Sequence, residues 1–318
     1  MELIERLAQT GVSTIEAGSF VSPKWVPQMA NSSEILQHIL HEQKRTPVPM
    51  TYSFLCPNIK GIKHAADVLK SSPELFSTQL TPRVVADSDG GGESRARPAV
   101  EVAVFAAATE SFSQKNLNCD IQTSLDRFKA VIRESKALGL RVRAYVSVVL
   151  GCPFEGFDVD PHKVAEISTE LLEAGADEIS LGDTTGMGTA PRTGALLRCM
   201  SAAGIRTEDI AMHLHDTYGQ ALVNTAVSLE HGIRTFDSSV GGLGGCPYSP
   251  GATGNVATED MVYFMETLGM DTGIDLDAMA DIGSWITTEL GKSNDSTVGK
   301  AVLGARARAR ATSKSAEA

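Results

Sequence analysis

Ser135-Lys136-Ala137-Leu138-Gly139, followed at once by Leu140 and Arg141-Val142-Arg143-Ala144-Tyr145-Val146-Ser147, is the stretch on which the fold turns. Its first part reads as the end of an amphipathic helix, stopped by a glycine that can take the left-handed conformation. Its second part reads as a β-strand. The pattern recurs. Leu172-Glu173-Ala174-Gly175 leads into Glu178-Ile179-Ser180-Leu181, and Ser201-Ala202-Ala203-Gly204 leads into Ile210 to His215. Leu229-Glu230-His231-Gly232 leads into Arg234-Thr235-Phe236-Asp237, and Leu7 to Gly11 leads into Ser13 to Glu16. Helix and strand in alternation mean βα units and a parallel sheet.

Working outward, two more strands fit the gaps, 48–54 and 100–106, beside those near 13–17, 141–147, 178–182, 210–215 and 234–238. No GxGxxG follows an early strand, which weakens a dinucleotide-binding doubly wound sheet. The spacing predicts an α/β fold of the TIM (β/α)8 type across residues 1–300, with seven strands visible and the first strand missing, because the chain opens on helical spacing at Leu3, Ile4 and Leu7. Residues 71–98, with Asp87-Ser88-Asp89-Gly90-Gly91-Gly92 at their centre, read as a flexible insertion at the stability face of the barrel. Residues 301–318, small and basic, read as a disordered tail; an anion-binding arm is the functional alternative.

Composition narrows the function. The 318 residues are 42% hydrophobic, enough for a core, and no apolar run has the roughly 18 to 20 residues of a membrane span. Twenty-eight basic against 39 acidic residues give −11, which argues against nucleic acid or an anionic membrane as partner. Five cysteines without a CxxC pair read as reduced thiols, and the N-terminus shows neither a signal peptide nor a transit peptide.

Polar residues gather at predicted strand ends. In His213-Leu214-His215 the two imidazoles point to one face, a two-nitrogen chelate for a divalent cation or simply a pair of polar strand-end histidines. Glu16 and Asp183 each end a strand beside a glycine, as turn residues or as parts of one shared site. Gly241 to Asn255 holds six glycines and follows the last strand, so it reads as a lid. Cys246 sits in it away from any periodic apolar face, which favours a reactive thiol, whereas Cys152 reads as structural. Asn255 is either the N-cap of the next helix or an amide oxygen on a metal.

Four motifs, Ser19 to Met29, Leu150-Gly151-Cys152-Pro153, His213 to Ala221 and Gly241 to Asn255, together resemble the 3-hydroxy-3-methylglutaryl-CoA lyase family. The resemblance spans residue 1 to about 300 apart from the insertion. It implies a metal-dependent TIM-barrel lyase that cleaves its acyl-CoA substrate to acetyl-CoA and acetoacetate, in leucine degradation and ketone-body formation, with Mg2+ or Mn2+. On that resemblance His213, His215 and Asn255 are metal ligands, His213 also moves a proton, Cys246 is the acid, and Glu16 and Asp183 are active-site acids. It implies a homodimer and the mitochondrial matrix, with the cytosol as the alternative where no transit peptide is present. The cysteine-centred loop separates the chain from related synthases. The family's first strand carries an Arg-Asp pair, enolate stabiliser and further metal ligand, and no residue here matches it. Low turnover and low stability are therefore the expectation for residues 1–318, and a catalytically impaired form or pseudoenzyme acting by binding is the alternative function.

Overall fold

The computed structural model describes residues 1–24, 26–42, 45–76, 97–245 and 254–316. Seven strands form one sheet in sequence order: β1 (Thr14–Ser19), β2 (Thr51–Leu55), β3 (Ala99–Ala107), β4 (Arg141–Ser147), β5 (Glu178–Asp183), β6 (Ile210–Leu214) and β7 (Thr235–Asp237). Every neighbouring pair is parallel. Among the described residues β1 and β7 are the two edges of the sheet, which wraps most of a barrel without a hydrogen-bonded seam between them. All seven expected strands are present within a few residues of their predicted bounds.

Eleven helices belong to the described residues: α1 (Glu2–Leu7), α2 (Ser32–Glu42), α3 (Ile59–Ser71), α4 (Glu110–Leu117), α5 (Ile121–Ala137), α6 (Pro161–Glu173), α7 (Ala190–Ala202), α8 (Ala221–Glu230), α9 (Thr258–Thr267), α10 (Leu276–Glu289) and α11 (Thr297–Ala316). The α5–β4 unit shows the local logic. Asp120 caps α5 by accepting from the Thr123 amide at 2.7 Å. Ile121, Leu125, Phe128, Val131 and Ile132 recur at helical spacing and are buried. Gly139, at φ 74°, ends the helix in the left-handed region, where a side chain would be strained. Leu140 then donates back to Ser135, and β4 starts.

In β4 the alternation Arg-Val-Arg-Ala-Tyr-Val-Ser divides the strand: Val142, Ala144 and Val146 are fully buried, while Arg143 and Tyr145 reach across the interior to Asp237 of β7 and Glu16 of β1. TIM-barrel interiors are mostly filled by branched aliphatic side chains. This one carries a polar layer instead.

One expectation needs correction, one of two open readings closes, and one expectation lies elsewhere. Residues 301–318 are not a disordered tail as far as Ala316: they continue α11. Alternating alanine and arginine are strong helix formers, and Arg306 ties the helix to α10 through Asp281 at 2.9 Å. Asn255 caps no helix, because α9 begins at Thr258 with Ala257 as its N-cap residue. The centre of the expected insertion, 77–96, lies outside the described residues. No helix among the described residues is long and apolar enough to cross a membrane.

Candidate active site

A cavity of about 280 Å³ opens at the C-terminal ends of the strands. Its lining is part polar, with Glu16, Tyr145, Ser147, Thr184, His213 and His215, and part apolar, with Leu55, Phe105 and Phe112. This is the face where barrel enzymes place their chemistry.

The two histidines project from the same face of β6 and its end, ring centroids 5.4 Å apart. They differ in their partners. His213 Nδ1 lies 3.1 Å from Asp237 Oδ2, which leaves Nε2 for the cavity. His215 is 5% exposed and its Nδ1 has no hydrogen-bond partner. Burial first, and then the neighbouring His213, push its pKa down to about 4, so the ring is neutral near pH 7, as a metal ligand must be. Asn255 pairs with His215 through an isolated antiparallel bridge, where the chain after the glycine-rich loop returns to the sheet. Its Nδ2 donates to the Leu243 carbonyl at 3.0 Å, and its Oδ1 is buried and unpartnered. Two imidazoles on one face and a buried, unpartnered amide oxygen on the residue paired with His215 are donor types that fit a divalent cation. Among the described residues no group of three or more His, Cys, Asp or Glu side chains is placed to hold a metal ion.

Glu16 sits on the cavity wall and accepts from Tyr145 Oη at 2.6 Å; the Tyr145 ring meets His213 edge-on at 5.9 Å. Asp183 ends β5 but does not line the cavity. It is fully buried, and Oδ2 accepts from the Gly188 amide at 2.9 Å. Burial raises its pKa to about 6, against the pull of the amides of Gly188, Met187 and Gly186. In this structure it shapes the loop behind the site. Cys246 lies outside the described residues; Gly245, just before it, lines the cavity. Cys152 is buried and accepts from Thr109 Oγ1 at 3.2 Å, in keeping with its structural reading.

Sequence reasoning missed the layer beneath. Arg143 meets Asp237 at 2.6 Å and Glu178 at 3.2 Å; Arg141 meets Glu178 at 2.7 Å and Glu101 at 3.0 Å. Burial would raise the Asp237 carboxyl, but Arg143, His213 and Ser180 outweigh it and hold it below the usual carboxylate range. The signal was available in the two-residue period of Arg-Val-Arg-Ala-Tyr and Glu-Ile-Ser-Leu-Gly-Asp, which puts charges on the inner face. Among the described residues lining the cavity there is no Arg or Lys.

Comparison with known proteins gives the chain's family. The HMGL-like family model matches residues 1–286. A relative from Pseudomonas aeruginosa, named 3-hydroxy-3-isohexenylglutaryl-CoA/hydroxy-methylglutaryl-CoA lyase, is 46% identical over 95% of this chain and 89% of its own. The crystal structure of hydroxymethylglutaryl-CoA lyase from Pseudomonas aeruginosa superposes with a TM-score of 0.80 at 45% identity, covering 95% of this chain and 89% of that one. An HMG-CoA lyase from an Acinetobacter, in complex with coenzyme A and 3-methylmalate, gives 0.77 at 29% identity over 94% of this chain and 86% of that one.

Proposed function

The chain belongs to the HMGL-like family, and on that footing we propose that it is a carbon–carbon lyase that cleaves 3-hydroxy-3-methylglutaryl-CoA to acetyl-CoA and acetoacetate. The observation that supports it most is the meeting of His213, His215 and Asn255 at the C-terminal mouth of the barrel. These three would hold the ion. When bound, Mg2+ or Mn2+ supplies a Lewis acid for the substrate's hydroxyl and carboxylate oxygens.

The chain's own groups then have to move two protons. The tertiary hydroxyl loses its proton, the bond between C2 and C3 breaks, and C3 becomes the ketone of acetoacetate. The bonding electrons leave with C2 as the acetyl-CoA enolate, which is protonated on carbon. The family resemblance gives the first proton to His213. Only Nε2 of that ring is uncommitted, and its single lone pair can hold the ion or take the proton but not both at once. Glu16, hydrogen-bonded by Tyr145 in the same cavity lining, is the neighbouring carboxylate able to take the proton onward. The resemblance gives the second proton to the Cys246 thiol, which regains it from the site, so the enzyme ends the cycle unchanged. Asp183 acts in this reading by fixing the loop after β5.

The test follows acetoacetate and acetyl-CoA release by the protein with Mg2+ or Mn2+, beside His215→Ala. Release that needs the cation and His215 is expected, whatever its absolute rate. Release indifferent to both would remove the proposal. The apolar part of the lining, Leu55, Phe105 and Phe112, favours a second reading, in which substituents at C3 longer than methyl also enter, as the name of the Pseudomonas relative says of that protein. Comparing kcat/KM for methyl- and isohexenyl-substituted substrates decides it. The homodimer and the mitochondrial matrix remain parts of the proposal, checked by sedimentation and by cell fractionation.

A further inference from the structure

Asp237 ends the short strand β7 and does not line the cavity, so it has no path to a substrate. Its carboxylate is nevertheless fully engaged from three other strands. Oδ1 takes Arg143 Nη2 of β4 at 2.6 Å. Oδ2 takes Ser180 Oγ of β5 at 2.9 Å and faces His213 Nδ1 of β6 at 3.1 Å. Arg143 is held in turn by Glu178 and by the face of Tyr145, 5.1 Å from the ring centroid. The carboxylate cannot rotate away without breaking two charge-assisted contacts and a hydroxyl bond. A carboxylate so fixed is an acceptor only, so the imidazole must present Nδ1–H to it. That choice makes Nε2 the nitrogen with the free lone pair, on the cavity side of the ring.

We propose that Asp237 is a positioning residue that sets the tautomer and ring orientation of His213, with Arg143 holding it in place for that task. The proposal rests on the reading of His213 as a cation ligand, but its tests do not depend on turnover. In the parent protein, 15N spectra of labelled histidine should show His213 protonated at Nδ1. Asp237→Asn keeps an oxygen for Arg143 but can offer His213 an N–H in place of an acceptor, which reverses the tautomer and puts the proton on Nε2. Mn2+ affinity, measured by titration calorimetry, should then fall about 10- to 100-fold. Asp237→Glu should restore part of it. Ser180→Ala leaves the carboxylate facing His213 and should change Mn2+ affinity by less than about 3-fold, although it removes a buried hydrogen bond. A parent protein with His213 protonated at Nε2 overturns the proposal without any variant having to fold. So does a folded Asp237→Asn protein that binds Mn2+ as the parent does. Failure of the lyase assay with the Nδ1–H form intact would count against the proposed reaction and leave the role of Asp237 standing.

Discussion

Below the strand ends, two guanidiniums meet carboxylates: Arg141 with Glu101 and Glu178, Arg143 with Glu178 and Asp237. At the rim, His215 Nδ1 and Asn255 Oδ1 are buried without a hydrogen-bond partner; in the inner layer Glu101 Oε1, Arg141 Nε and Arg143 Nε also lack a hydrogen bond, but there each side chain sits in an ion pair. The two layers share strands and differ in height by only a residue or two: His213 Nδ1 still belongs to the paired layer, and His215 already belongs to the unpaired one. An unpartnered buried polar group costs about 1–3 kcal/mol. The inner layer offsets that cost with its ion pairs and acts as rigid scaffolding. The rim tolerates it, and keeps lone pairs that only a ligand would use. The molecule thus concedes stability at the place where the proposed chemistry needs open coordination.

The sharpest way to break this contrast is to remove one member of each layer. His215→Ala should abolish detectable Mn2+ binding and lower turnover by at least about 100-fold, more than loss of a supporting residue does, while the melting temperature holds or rises. A large drop in melting temperature would show that the rim is structural after all. Arg143→Met should do the reverse. It leaves Asp237 and Glu178 buried without their shared cation and should destabilise the fold by about 3–5 kcal/mol, read from denaturant unfolding. A variant as stable as the parent would mean that the layer is not the scaffold described here.

Glu259 sharpens the comparison, because it has the burial of the inner layer without a cation. It is fully buried on α9 and accepts from the Gly241 amide at 2.9 Å, at the base of the glycine-rich loop. Burial raises its pKa from 4.5 to about 7. A raised acid is a folded state that binds the extra proton. Its contribution is complete below pH 4.5 and is lost as pH rises through about 7, by about 3 kcal/mol at most. Glu259→Gln, which stays neutral, should flatten the dependence of stability on pH across that window and exceed the parent above it. Parallel pH curves for the two proteins would show that the carboxyl ionises freely. The smallest effect belongs to the surface: Arg306→Ala breaks an exposed pair with Asp281 and should cost only about 0–1 kcal/mol in a thermal melt.

Much of this was legible in the sequence because it is local. A glycine after an amphipathic run ends a helix wherever it stands, and the run beyond it has the period of a strand. That fixed the parallel strands, their number and their order. The two-residue spacing of His213 and His215 puts both rings on one face by strand geometry alone, and the bridge between His215 and Asn255 pairs the backbone of the two residues. The role of Asn255 could not be read locally: an asparagine near a helix start caps it in isolation, and here the returning chain pairs with β6 first. The tail beyond residue 300 was misread for a similar reason. Its charges look solvated in sequence, but Arg306 has Asp281 across the gap to α10.

The sequence alone therefore determined the βα rhythm, the strand-end placement of the histidines and the family resemblance, all of which depend on neighbours a few residues apart. Tertiary structure decided which of those groups have partners. Arg143 and Asp237 are 94 residues apart, and Tyr145 and Glu16 are 129 apart. Contacts across a barrel are set by its curvature and by strand register, which a linear pattern does not encode, and they leave one imidazole nitrogen held and its neighbour two residues on free.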